Sequence, residues 1–224
     1  MTPEAFDFIK NGAAHLLRFI GAAVCHQDES RSLAAGGTYL PVCARCTGLY
    51  LGFFTSFIYL ALRKRLSGDS PPGLFIVSAA AAGIFLFILD GATSYLGLRE
   101  SFNMLRLITG VLCGAPLPVL FTLAANYNPA GHDRAAIIKH KGEYAALILA
   151  PLVTGLLVCF GKVGSWYAVS VIVCAGEFAM LASFFALILK LAVPKPRRTR
   201  RIIPALSAAA AIVLSNAVQA AIRS

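Results

Sequence analysis

The sequence predicts an all-α protein, a polytopic integral membrane bundle of six or seven transmembrane helices, and three observations carry that prediction. Hydrophobic residues make up 58% of the 224, and the mean hydropathy is +0.75, well above the roughly half-apolar content of ordinary soluble domains. Charged residues are only 13%, and they gather in short runs between long apolar stretches instead of patterning the faces of soluble helices. Every second connection between those stretches is basic, which is the signature of a chain threaded back and forth through a bilayer.

Taken in order, residues 1–24 come first. Glu4 and Asp7 precede the apolar part of this segment, and Lys10, His15 and Arg18 interrupt it. That is a poor pattern for a secretory signal, so the segment is expected to stay on the mature protein. Residues 6–24 read either as a first membrane helix or as an amphipathic helix lying in the interface. Residues 25–46 are polar, contain Gly36 and Gly37, and read as a loop. Six windows long enough to cross ~30 Å of hydrocarbon at ~1.5 Å per residue follow. They lie near residues 47–62, 73–90, 104–125, 143–160, 165–190 and 202–222, and residues 1–224 together form one transmembrane domain.

The connections assign sides. Arg63, Lys64 and Arg65 follow the first of the six windows; Arg134, Lys139 and Lys141 lie between the third and fourth; Lys195, Arg197, Arg198, Arg200 and Arg201 lie between the fifth and sixth. The positive-inside rule puts these on the cytoplasmic face, and the connections near 25–46, 91–103 and 161–164 face outward. The protein is expected in the cell membrane with its Cys/His loop on the extracytoplasmic side. A net charge of +10 could suggest nucleic acid, but the basic residues flank apolar spans, so their expected contacts are membrane lipids with anionic headgroups. No nucleic-acid partner is expected.

Two further sequence features bear on packing. Pro116 and Pro118 fall inside the third window and predict a bend there. Gly48 and Gly52 in the first window, and Gly110 and Gly114 in the third, are both G-x-x-x-G patterns that permit close helix approach. If those two helices pack in register, the cysteines just ahead of the first come level with residues 104–108 of the third.

The chemistry concentrates in "CHQDESRSLAAGGTYLPVCARC", residues 25–46. Cys25 and His26 are adjacent, and Cys43 and Cys46 form C-x-x-C. Three thiolates and an imidazole are a complete tetrahedral set, and their softness suits zinc. The same residues also permit thiol-disulfide exchange, with Arg45 lowering a thiol pKa and a quinone as electron acceptor, or a purely structural disulfide or metal clip. Cys113, Cys159 and Cys174 lie within spans, where cysteine behaves as a small hydrophobe.

A second polar set reaches the same face. Asp90 ends the second window, and Asn103 and Arg106 open the third, with Ser101 and Thr109 nearby. Asp90, Asn103 and Arg106 are the candidate catalytic residues, Asp90 and Arg106 being natural partners. Arg31, Arg45 and Arg106 are candidates for binding an anionic solute or lipid phosphate. Glu177 is the one acid near the middle of a span, a candidate substrate or proton site, with Asn216 or Gln219 as hydrogen-bond partners if its role is structural. His132, His140 and Glu143 read as a solvated loop.

The motifs "CHQDESRS" and "CARCTGLY" resemble a family of small prokaryotic membrane proteins catalogued as domain of unknown function 2085, and the resemblance extends over most of the chain. The family pattern falls on Cys25, His26, Gln27, Arg31, Ser32, Cys43, Arg45, Cys46, Gly48 and Tyr50, and then on Asp90, Gly91, Asn103, Arg106, Thr109 and Gly110. Ser30 stands where the pattern has glutamate, and Glu29 is one position early. The resemblance implies a membrane fold that pairs the two blocks, and no activity. Three functions stay open: a membrane metalloenzyme acting on an anionic or lipid-phosphate substrate, a transporter or flippase for such a solute, and a quinone-linked thiol-disulfide oxidoreductase.

Overall fold

The computed structural model describes residues 3–126, 136–163, 165–192 and 203–223. Its helices are α1 (Pro3–Ala22), α2 (Ala44–Leu62), α3 (Leu74–Tyr95), α4 (Asn103–Gly114), α5 (Leu117–Asn126), α6 (Lys141–Cys159), α7 (Trp166–Ala192) and α8 (Ile203–Arg223). Among the described residues, five stretches are long and apolar enough to cross a membrane: Ala44–Leu62, Leu74–Tyr95, Asn103–Asn126, Lys141–Cys159 and Trp166–Lys190. The apolar part of α8, Pro204–Ala220, is shorter. The helical membrane bundle expected from the sequence is thus present. His132, Arg134 and the basic run at 194–201 lie outside the described residues.

The third window is divided between α4 and α5 at Ala115 and Pro116, as its prolines require. Pro118 sits in the first turn of α5, where the missing N–H has no intrahelical partner to lose.

Glycine decides how closely α2 and α4 approach. A Cβ on Gly48 would collide with the Leu107 carbonyl and stand 2.9 Å from the Val111 nitrogen. Gly110 meets the Arg45 carbonyl and Gly114 the Leu49 carbonyl in the same way, while a Cβ on Gly52 would lie 2.9 Å from the Ala115 nitrogen. The two helices therefore pack in parallel, backbone against backbone, through the paired G-x-x-x-G patterns. This register brings Cys43, Cys46 and Arg106 to one end of the bundle, the thiol end.

Residues 25–46 depart from a simple loop. A short 3-10 turn (Glu29–Arg31) leads into an antiparallel hairpin, β1 (Ser32–Ala35) and β2 (Thr38–Cys43), with Ala35 opposite Thr38. Gly36 and Gly37 form the turn, both left-handed at φ 56° and 78°, the requirement of a tight two-residue hairpin turn. Leu33, Ala35, Leu40 and Val42 point into a core with Cys25, Tyr50, Leu107 and Trp166. Gln27 donates to the carbonyls of Arg18 (2.7 Å) and Pro41 (2.8 Å); Asn103 donates to Ser32 O (3.3 Å), and the Trp166 indole to Tyr39 O (2.8 Å). The hairpin is thereby tied to α1, α4 and α7. Gly21 of α1 packs directly on the Pro41 backbone.

The opposite end has its own polar fixings. Arg65 pairs with Glu143 at 2.8 Å, and the Asn126 amide donates to Leu66 O at 2.9 Å. Glu143, expected as a loop residue, is in the first turn of α6 and bound to this arginine.

Candidate functional site

Three sulfur atoms converge at the thiol end. The Sγ atoms of Cys25, Cys43 and Cys46 all lie within 4.8 Å of one another. Cys25 arrives from the turn after α1, Cys43 from the last position of β2, and Cys46 from the first turn of α2. Cys43 is also the N-cap of that helix, so C-x-x-C here spans a strand-to-helix junction. The Cys43 amide donates to the Cys25 sulfur at 3.1 Å. Hydrogen bonds from Cys25 and then Cys46 hold the Cys43 thiol well below its ordinary range, and the same bond to Cys43 pushes the Cys25 thiol up. One sulfur of the three is thus the preferred anion, at a helix N-terminus where backbone amides favour negative charge.

His26 stands apart. Its side chain is exposed and lies outside the three-thiol group. Gln27 adopts a left-handed backbone, φ 54°, which turns the chain sharply between Cys25 and the hairpin and carries the imidazole away from the sulfurs.

Beside the thiols, Asp90 is 2% exposed and accepts from several groups. Arg45 Nε donates to Oδ2 at 2.9 Å and Thr109 approaches the same oxygen at 3.4 Å; Ser101 Oγ donates to Oδ1 at 2.8 Å, and Arg99 binds that oxygen too. The carboxylate therefore links α2, α3, the 96–102 connection and α4. Arg106, taken from the sequence as its partner, instead donates to Asn103 Oδ1 at 3.0 Å and makes no ion pair among the described residues. It is 9% exposed, with Arg31, Arg45, Asp90 and Cys43 within electrostatic reach. Arg31 pairs with Asp28 at 3.2 Å on the surface.

Glu177 lies deeper, on the α7 face that packs against α2, and is 0% exposed. Neither carboxyl oxygen has a hydrogen-bond partner among the described residues. Asn216 and Gln219 do not reach it: their amides go to Phe19 O (3.0 Å) and Ala22 O (2.9 Å) of α1. Sequence reasoning missed Arg99 as a ligand of Asp90, and it missed the hairpin. The signal for the hairpin was present, since Gly-Gly between two short alternating segments is a hairpin pattern. Arg99 lay in a connection with no spacing rule to point at it.

The family of predicted membrane proteins (DUF2085) matches residues 25–120, which contain the hairpin, the three thiols and the Asp90 set. Two relatives are similar over the same order of length. An uncharacterised protein of Methanothermobacter thermautotrophicus is 39% identical over 100 residues, covering 43% of this chain and 83% of that protein. An uncharacterised protein of Methanocaldococcus jannaschii is 36% identical over 105 residues, 45% of this chain and 65% of that protein, just under two thirds. The chain belongs to this family of membrane proteins. The family match is shorter than the resemblance read from the sequence and stops before α6, α7 and α8. No solved structure matches.

Proposed function

We propose that the protein is a metal-dependent membrane protein whose three cysteines hold zinc at the extracytoplasmic face, with Arg106 receiving an anionic group of a lipid or solute beside it. The observation that carries this reading is the convergence of three thiols from two separate segments. A tetrahedral zinc about 2.3 Å from each sulfur sets them about 3.8 Å apart, which sulfurs lying within 4.8 Å of one another can accommodate. Three thiolates and a divalent cation leave one negative charge, which the neighbouring guanidinium groups balance.

With His26 outside the set, three protein ligands leave a fourth position, the arrangement of catalytic rather than structural zinc, and such an ion supplies an acidified water or a Lewis acid. Arg106, buried and in no ion pair among the described residues, supplies the charge that recognises the substrate's anion. Asn103 orients that guanidinium. Asp90 is occupied by Arg45, Arg99 and Ser101, so its part is to position Arg45 and the start of α2 rather than to act as a base.

Metal content of protein purified without chelators, measured with free-thiol counting, tests this. About one zinc per chain is expected, retained in Cys159→Ser and lost in Cys43→Ser. A metal-free protein carrying a Cys43–Cys46 disulfide sinks the proposal and makes thiol-disulfide exchange with a quinone the reading to pursue.

A further inference from the structure

The α2–α7 seam carries polar groups that the thiol site does not use. Both helices run inward from the thiol end, and Gly176 lets α7 rest on the Tyr50 carbonyl and on the Phe54 Cβ, 3.2 Å from where its own Cβ would be. Thr47 lies on the same face of α2 as Phe54, seven residues or two turns away. Ser170 lies on the same face of α7 as Glu177 by the same spacing, about 10 Å nearer the thiol end. In this register Thr47 stands level with Val173, between Ser170 and Glu177. The oxygens of Thr47, Ser170 and Glu177 are all buried, and none has a hydrogen-bond partner among the described residues.

Such groups are not left dry in a helical interior. A carboxylate without a cation at this depth is less stable than the neutral acid. The titratable groups that reach Glu177 are Tyr50 from α2 and Cys174 from α7 itself, and neither offers a positive charge. Cys174 gives its S–H to Leu17 O at 3.4 Å. Leu117–Asn126 of α5 contains no titratable residue, and the Ser215, Asn216 and Gln219 side chains of α8 are already bound to the carbonyls of Ala23, Phe19 and Ala22. Burying two hydroxyls and a carboxyl in one seam is the circumstance in which bridging water is retained.

We infer that Glu177 is a proton-binding site in the membrane interior, joined to the thiol end by water bridging Ser170 and Thr47. The carboxyl is neutral at rest. It gives its O–H proton to the adjoining water and takes one back from the same file, so charge never rests unpaired in the seam. The site is independent of the thiols and stands whether or not they hold a metal.

Infrared spectra of the protein in lipid vesicles, wild type minus Glu177→Gln, decide it. A protonated-carboxyl carbonyl band that belongs to Glu177 is expected, and in D2O it shifts promptly. Ser170→Ala and Thr47→Val keep the carboxyl and therefore the band, but slow that shift several-fold. A carboxylate band in the wild type, or a carboxyl band that does not move in D2O, overturns the inference. Equal exchange in Ser170→Ala, Thr47→Val and wild type overturns the path.

Discussion

At the residue scale, Asp90 shows how one buried charge can be tolerated in a membrane protein. Two guanidinium groups and a serine hydroxyl surround it, and together they offset the desolvation cost, the more buried Arg45 most of all. Asp90→Asn keeps the shape and removes the charge, which leaves Arg45, only 20% exposed, without its carboxylate. The expected loss is about 3 kcal/mol of stability, read as a fall in the thermal unfolding midpoint in detergent. Arg99, whose side chain is 39% exposed, contributes less because water screens it, so Arg99→Gln is expected to cost under about 1 kcal/mol in the same assay. Equal effects of the two changes would show that Asp90 is not the junction described here.

Helices pack by what their surfaces allow, and the element scale is set by glycine. Gly110 and Gly114 face backbone atoms of α2, which have no freedom to retreat. Gly155 faces the flexible end of Leu107, and a Cβ added there would lie 2.9 Å from its Cδ1. Gly110→Ala is therefore expected to part α2 from α4 and to lower stability by roughly 2 kcal/mol or more, whereas Gly155→Ala is absorbed by a rotation of Leu107 at under about 1 kcal/mol. Thermal unfolding of the two variants side by side checks the difference. Since the same seam levels Cys46 with Arg106, Gly110→Ala is also expected to weaken zinc retention under the metal reading proposed above.

Across the whole molecule, the ends are distinguished by what holds them. The hairpin, thiols and Asp90 set occupy one, and the Arg65–Glu143 pair occupies the other. From the basic connection at Arg63, the positive-inside rule gives the expectation that this second end is cytoplasmic. A membrane-impermeant maleimide applied to intact cells is expected to label a cysteine placed at exposed Glu29 and to miss one placed at exposed Arg63, with the pattern reversed in inside-out vesicles. The reverse result would turn the protein over and put the thiols in the cytoplasm.

The sequence by itself determined the membrane class, the helical spans, the break at Pro116 and the glycine seam. Each of these follows from a local property repeated along the chain: a hydrocarbon-length apolar run, a missing N–H, or a missing Cβ at helical spacing. It also showed that three cysteines, an aspartate and two arginines stand near one face. Only the tertiary structure decided which of them meet. His26 stays exposed outside the thiol group, Arg45 and Arg99 take the carboxylate expected to pair with Arg106, and α1 takes the amides expected at Glu177. Partner choice among buried charges depends on distances between elements far apart in the chain, and no periodicity within one element encodes it.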